Sequence, residues 1–338
     1  MLLQKNYSLK KLNTFGVDVN TKLFAEIFSE DKLIDLLAEP EIRSEKKIIL
    51  GSGSNILFTK DFDGLVIKLS STNINIIEED MDSVIVEADA GVIWNEFVKY
   101  CVEKNFGGIE NLTLIPGTVG AAPIQNIGAY GQELADNFDS LSGVFINSGK
   151  KKTFTKIDCR FSYRSSIFKE ELKNIFVITS VRMKLSKNSK PNTNYKALSD
   201  YLFKQKIQNP SIKDISNAVA EIRRTKLPDP EKIGNAGSFF KNPVMNIEVF
   251  EKIKSEYPDI AGFSSETGKI KISAGWLIEK CGWKGKRIGD VGTSPDHALV
   301  ICNFRKATGS EVLEFAMRIQ EEVLNKFGII LQEEVNIL

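Results

Sequence analysis

Histidine is nearly missing from this chain: His297 is the only one in 338 residues. One histidine rules out most Ser–His–Asp hydrolase triads and any metal site built on paired histidines. Cysteine is also scarce. Cys101, Cys159, Cys281 and Cys302 are widely scattered and contain no C-x-x-C pair, so zinc is not expected and reduced thiols are. No apolar run reaches the length of a membrane span. The start, Met1–Asn6, has no apolar core of a secretion signal, so a cytoplasmic protein is expected. Excess charge is lacking too: the formal net charge is +1, which gives no reason to expect nucleic acid or an anionic membrane as partner. Any chemistry must therefore rest on Ser, Tyr, Lys, Arg and carboxylates, or on a cofactor.

What is present is ordinary globular composition, 42% hydrophobic and 26% charged, in a chain long enough for two or three domains. One stretch stands apart. Ile115–Gly131 holds Gly117, Gly120, Gly128 and Gly131, two prolines and almost no charge. Glycine and proline break both strand and helix here, so an ordered loop is expected. It reads either as a buried structural loop or as a backbone N–H cradle for the phosphates of a nucleotide. A second Gly-rich turn, Gly51-Ser52-Gly53-Ser54-Asn55, lacks the endings of a P-loop and of a dinucleotide fingerprint. Alone it is a turn between strands; together the two loops suit a two-sided pyrophosphate clamp.

Periodicity supplies the frame. Strands are expected at Leu23–Phe28, Lys47–Leu50, Leu65–Leu69, around Val84–Ala88, and at Phe176–Leu185, with a hairpin formed by Leu141–Ile146 and Lys152–Thr155. Ser29 is positioned to cap a helix running to Ala38, and Trp94, Phe97, Val98 and Cys101 share one helical face. Residues 187–211 are polar and read as a connecting excursion carrying Tyr195 and Tyr201. Helices follow at Ile212–Thr225, Ser273–Cys281 and Gly309–Phe327, the last stopped by Gly328. Ala298–Cys302 reads as a buried strand, and Ile329–Leu338 as an alternating one.

Three further clusters carry possible chemistry. Arg160–Phe168 sets arginines among aromatics, where a guanidinium can grip a carboxylate or phosphate or can simply lie on a solvated face. Arg223–Pro230 is a basic helix end suited to a diphosphate. It leads into Gly234–Pro243, where Ser238 lies beside Phe239 and Phe240. With no histidine beside it, Ser238 is a poor nucleophile, yet a hydroxyl can protonate a far more basic carbanion. The stretch also reads as a Gly-rich turn with a core Phe pair. In the last segment, Glu333 interrupts the apolar face of Ile329, Leu331, Val335 and Ile337, and either Glu333 or Glu334 is a candidate carboxylate.

In combination, Asn13-Thr14-Phe15-Gly16, Gly51–Asn55, Ile115–Gly131, Phe161–Phe168, Thr225–Pro230 and Gly234–Pro243 resemble the UDP-N-acetylenolpyruvoylglucosamine reductases, the MurB family, in its type I form. The segments span nearly the whole chain in the family's order. The resemblance implies an α+β protein: a two-part FAD-binding fold of the vanillyl-alcohol-oxidase (PCMH) type and a C-terminal α/β substrate-binding domain. The implied parts are 1–70 with 325–338, then 71–211, then 212–324. It further implies non-covalent FAD, NADPH as hydride donor, a nucleotide-sugar substrate, no metal, a monomer, and a reductive step in peptidoglycan precursor synthesis.

Residue by residue, Arg164 matches the family's catalytic arginine, Ser238 its proton donor and Glu334 its C-terminal glutamate. Cofactor contacts fall on Gly51, Ser52, Gly53, Ser54, Asn55, Pro116, Gly117, Gly120, Ala121, Ala122, Gln125, Asn126, Gly128 and Tyr130. Substrate contacts fall on Tyr195, Lys226 and Asn242, with the Tyr195 excursion closing over substrate. The family often ends in Pro-Glu-Val-Arg, whereas Glu333-Glu334-Val335-Asn336 stands here; Glu334 is the match because valine follows it. An oxidase of the same flavin fold, and a nucleotide-sugar binding module without catalysis, are the competing readings.

Overall fold

Runs of β-branched and leucine residues build the first part of the computed structural model, which describes residues 3–264 and 268–338. Lys47–Leu50 and Asn20–Ile27 both run parallel to Phe62–Leu69, which lies between them and is buried along most of its length. Leu3–Ser8 flanks this sheet beside Asn20–Ile27. The Ser29 side chain accepts from the Lys32 N–H and starts the helix Glu30–Ala38, whose Leu33, Leu36 and Leu37 are buried.

An antiparallel sheet follows, in the order Lys151–Thr155, Phe138–Phe145, Phe176–Ser186, Ser83–Asp89, Ile74–Glu79. The helix Trp94–Glu103 buries Trp94, Phe97, Val98 and Cys101 in the core of this sheet. Burial of Phe97 and Val98 contributes roughly 1.5–3 kcal/mol each, and the Trp94 indole N–H donates to the Leu112 carbonyl at 2.9 Å. Ala90, Val144, Ile146 and Val177 also join the core of the parallel sheet, so the two sheets share apolar packing.

By contacts, the chain forms two compact units. The first holds residues to Tyr7, Asn20–Gly53 and Phe62–Thr225; the second holds Ser8–Val19, Ser54–Asp61 and Lys226–Leu338. In the second unit, an antiparallel sheet runs Gly234–Ser238, Val300–Asn303, Val291–Thr293, Arg287–Ile288. A three-stranded sheet is formed by Val244–Asn246, Lys269–Ile272 and Gly262–Ser264. The helix Gly309–Phe327 buries Val312, Phe315, Ala316, Ile319 and Val323, and begins with a reciprocal Thr308–Glu311 capping box. Residues 13–16 are part of this unit: the Thr14 carbonyl accepts from the Asn235 N–H, and Phe15 meets Phe239 edge-on at 6.3 Å.

Three sequence expectations are revised. Residues 187–211 are not wholly irregular, because Lys196–Lys204 is a helix whose Leu198 and Leu202 pack on Ile215, Ala218, Val219 and Ile222. Polar neighbours hid that short apolar stripe. Gly234–Ser238 is a strand rather than a turn, and its ladder shifts register before Ser238, where Gly237 has φ of 69°. The segment after Gly328 keeps the expected alternation, with Ile329, Leu331 and Val335 buried, but only Asn336–Ile337 is strand. That pair runs parallel to Ile56–Leu57, so the tail and residues 54–61 lie together in the second unit.

Candidate active site

In the first unit the two Gly-rich loops meet. The strand Lys47–Leu50 delivers Gly51 against the second loop, where a Cβ on Gly51 would lie 2.6 Å from the Thr118 hydroxyl oxygen. Gly120 is equally constrained: a Cβ there would come within 2.4 Å of the Ala90 Cβ. The Ser52 hydroxyl is buried and has no hydrogen-bond partner among the described residues. A close-packed Gly wall with an unpartnered hydroxyl suits a phosphate-bearing cofactor.

The cradle expected of Ile115–Gly131 is corrected in one respect. The N–H of Val119 goes to Val92, that of Gly120 to Ala90, and those of Ala121 and Ala122 to Thr118. These donors are used within the protein, in the loop's own turn or against Ala90 and Val92, so Gly120, Ala121 and Ala122 offer shape rather than N–H groups. Asn126 is likewise spent internally. Its Nδ2 donates to Glu133 at 2.8 Å and to the Ser162 carbonyl at 3.3 Å, and its Oδ1 accepts from the Ala135 N–H. The Gln125 side chain accepts from Lys169 at 3.3 Å, and the Gly117 carbonyl accepts from the Trp94 N–H, which fixes the loop at Pro116–Gly117.

Arg164 is tied to the same loop. Its Nη2 donates to the Gly128 carbonyl at 2.5 Å and its Nη1 to the Asn126 carbonyl at 3.5 Å. The residue itself sits at φ of 54°, an uncommon conformation for an arginine. Next along the loop, Tyr130 meets the Tyr195 ring edge-on at 5.3 Å. Burial raises the Tyr130 phenol pKa, opposed by the charge of Arg223. Arg223 donates from Nε to the Leu114 carbonyl, and its burial lowers its pKa. Sequence reading placed Arg223 only in a basic cluster; Ile222 beside it is the one local apolar neighbour, and the Leu114 carbonyl that fixes it lies 109 residues away in sequence.

In the second unit the structure joins Ser238, Glu334 and Asn55. The Glu334 N–H donates to the Phe239 carbonyl at 2.8 Å, setting Glu334 beside the end of the Ser238 strand. Asn55 Nδ2 donates to the Glu334 carbonyl at 3.2 Å, and the Asn55 carbonyl accepts from the Asn336 N–H. Glu333 is accounted for separately: its carboxylate accepts from Gln320 at 2.8 Å, which pins the tail to the helix Gly309–Phe327. Asn242 Oδ1 accepts from the Ala274 N–H at the start of the helix Ala274–Lys280. Lys226 ends the helix Ile212–Lys226 and its charge reaches His297. The His297 Nδ1 is buried without a partner among the described residues, a feature not legible from residues alone.

Among the described residues no group of three or more His, Cys, Asp or Glu side chains is arranged to hold a metal, and no helix is long and apolar enough to cross a membrane. All four cysteines are free; burial pushes Cys159 and Cys302 up to about 12 and raises Cys101 further.

Residues 21–154 match the FAD binding domain family, so the chain is a flavin-dependent protein with the two-sheet cofactor fold just described. Residues 229–338 match the C-terminal domain of UDP-N-acetylenolpyruvoylglucosamine reductase. The reductase of that name from Flavobacterium johnsoniae is 47% identical and covers 100% of both chains. Its counterpart from Pseudomonas aeruginosa is 44% identical over 99% of this chain and 98% of that one. The chain belongs to the UDP-N-acetylenolpyruvoylglucosamine reductase family and is an oxidoreductase. Its fold is shared with the crystal structure of the Thermus caldophilus reductase, at a TM-score of 0.69 and 23% identity, covering 100% and 99% of the two chains.

Proposed function

We propose that this protein reduces UDP-N-acetylglucosamine enolpyruvate to UDP-N-acetylmuramate with NADPH, as a monomer, in peptidoglycan precursor synthesis. The observation that carries the reading is 47% identity to a reductase of this family along the entire chain. The Gly51 wall and the buried Ser52 hydroxyl fit FAD, which when bound accepts hydride from NADPH and supplies it to the enolpyruvyl methylene carbon.

Gly51–Asn55 would hold the pyrophosphate, and Pro116, Gly117, Gly120, Ala121, Ala122, Gln125, Asn126, Gly128 and Tyr130 would shape the ring's surroundings. Hydride addition places negative charge on the carbon next to the substrate carboxylate, delocalised as an enolate. Arg164, oriented by the Gly128 carbonyl, stabilises that charge, and Glu334 polarises it. The Ser238 hydroxyl delivers the proton to the same carbon, a task suited to a donor that needs no histidine. Lys226 binds the diphosphate together with the amide N–H groups of Asn242, whose oxygen is already used at Ala274. Tyr195 covers the nucleotide sugar.

The test is anaerobic. Purified protein should be yellow, bleach with NADPH, and regain its flavin absorbance on addition of UDP-N-acetylglucosamine enolpyruvate. Bleached flavin that ignores this substrate but reacts with oxygen would make the protein an oxidase. Ser238→Ala should leave bleaching by NADPH intact and slow reoxidation by substrate on the order of 100-fold or more; equal loss in both half-reactions would remove Ser238 as proton donor.

A further inference from the structure

Asn111 is fully buried in the first unit, directly before the Ile115–Gly131 loop. Its Nδ2 donates twice, to the Tyr130 carbonyl at 2.9 Å and to the Asn192 carbonyl at 2.9 Å. Its Oδ1 is buried and accepts nothing among the described residues. An amide retained in the core with an unsatisfied oxygen is there for its donors, because the oxygen alone is a penalty. Those donors connect two separate pieces of chain, the flavin-side loop and the excursion that carries Tyr195.

The excursion has its own attachments at each end. Ser186 exchanges backbone hydrogen bonds with Gly107, at 2.8 and 2.9 Å, and the helix Lys196–Lys204 packs through Leu198 and Leu202 on the helix Ile212–Lys226. The middle, residues 188–195, has little apolar packing and is mostly exposed or half-buried. There the Asn111 bond to Asn192 is joined by Asn192 Nδ2, which donates to the Gly131 carbonyl at 3.0 Å. Three residues on, the half-exposed Tyr195 ring meets Tyr130.

We propose that Asn111 is a positioning residue: its amide clips the middle of the excursion to the Tyr130 carbonyl and so holds the Tyr195 ring over the bound nucleotide sugar. The role assigned to Tyr195 rests on the reading under Proposed function; the clip itself does not.

The test compares the FAD-loaded wild type with Asn111→Ala, Tyr195→Ala and the double variant. Lys196 is exposed just past the clip and reports on it by trypsin cleavage. Asn111→Ala should speed cleavage at Lys196 and raise KM for UDP-N-acetylglucosamine enolpyruvate roughly tenfold while changing kcat little. In the Tyr195→Ala background the same substitution should add almost nothing to KM, since it acts through that ring. Asn192→Ala, which removes the bond to the Gly131 carbonyl and the one that Asn192 Oδ1 accepts from the Asn194 N–H but keeps both Asn111 donors in place, should give a smaller increase of the same two quantities, and stands in if Asn111→Ala does not fold. Unchanged cleavage at Lys196 in the folded variant would overturn the clip. Additive effects on KM would overturn its action through Tyr195. Should the wild type fail to turn over this substrate, the proposed function falls, while the cleavage comparison still decides the clip.

Discussion

His297 carries a buried ring nitrogen without a partner among the described residues and lies within reach of two lysine charges. Burial, then Lys226, then Lys284, lower its pKa below the ordinary 6.5. The sign follows from linkage: the unfolded chain takes up a proton near 6.5, whereas the folded one resists it, so this residue's contribution is full above that pH and is lost as pH falls below it. His297→Gln should therefore flatten the fall in urea midpoint between pH 7.5 and 5.5. An equally steep fall in the variant would place the acid sensitivity elsewhere. Glu333 and Glu334 show the opposite case, in which neighbours in sequence are separated by their partners. The carboxylate of Glu333 is taken by Gln320, whereas the backbone of Glu334 is fixed from both sides by Phe239 and Asn55. Alternation of apolar residues made Glu333 look anomalous; a helix thirteen residues upstream supplies the explanation, and no local pattern could.

Elements whose cause is local were readable from residues alone. Ser29 caps its helix, Lys47–Leu50 is the strand expected, and Gly309–Phe327 begins and ends where Thr308 and Gly328 place it. Gly328 has φ of 67°, the left-handed conformation that ends a helix at glycine. Thr308 donates to and is oriented by Glu311, so Thr308→Ala should cost about 1 kcal/mol and lower Tm by about 2 °C, while Thr308→Ser should restore most of it; thermal melts of the three proteins check this. What was not legible is set by distant partners. The strand Gly234–Ser238 looks like a turn because glycine fills it, and it becomes a strand only against Val300–Asn303. The helix Lys196–Lys204 is short and polar, and depends on Ile215 and Val219 to bury its two leucines. The same limit applied to the long Gly-rich loop: that it holds no long helix or strand was readable, but its single 3-10 turn at Val119–Ala121 and the use of the Val119 and Gly120 N–H groups depend on Val92 and Ala90.

For the molecule as a whole, the fold and the flavin-linked family were accessible because many short segments agreed in order, although none was specific alone. The cofactor is expected to be a large part of the stability. If FAD binds only the folded state, adding it to deflavinated protein at a hundredfold excess over Kd should stabilise by about 2.7 kcal/mol and raise Tm. A melting temperature independent of FAD concentration would count against a preformed site around Gly51 and Ser52.

The pairing of Ile56–Leu57 with Asn336–Ile337 has a consequence for biosynthesis. Asn55 donates to a carbonyl 279 residues later, and residues 8–19 also belong to the unit completed by Lys226–Leu338. On the ribosome, these early segments emerge long before their partners exist. The loop between Gly51 and Asn55 must therefore stay half-supported through most of translation, a period in which its apolar flanks, Leu57 and Phe58, are exposed to the surroundings and to chaperones.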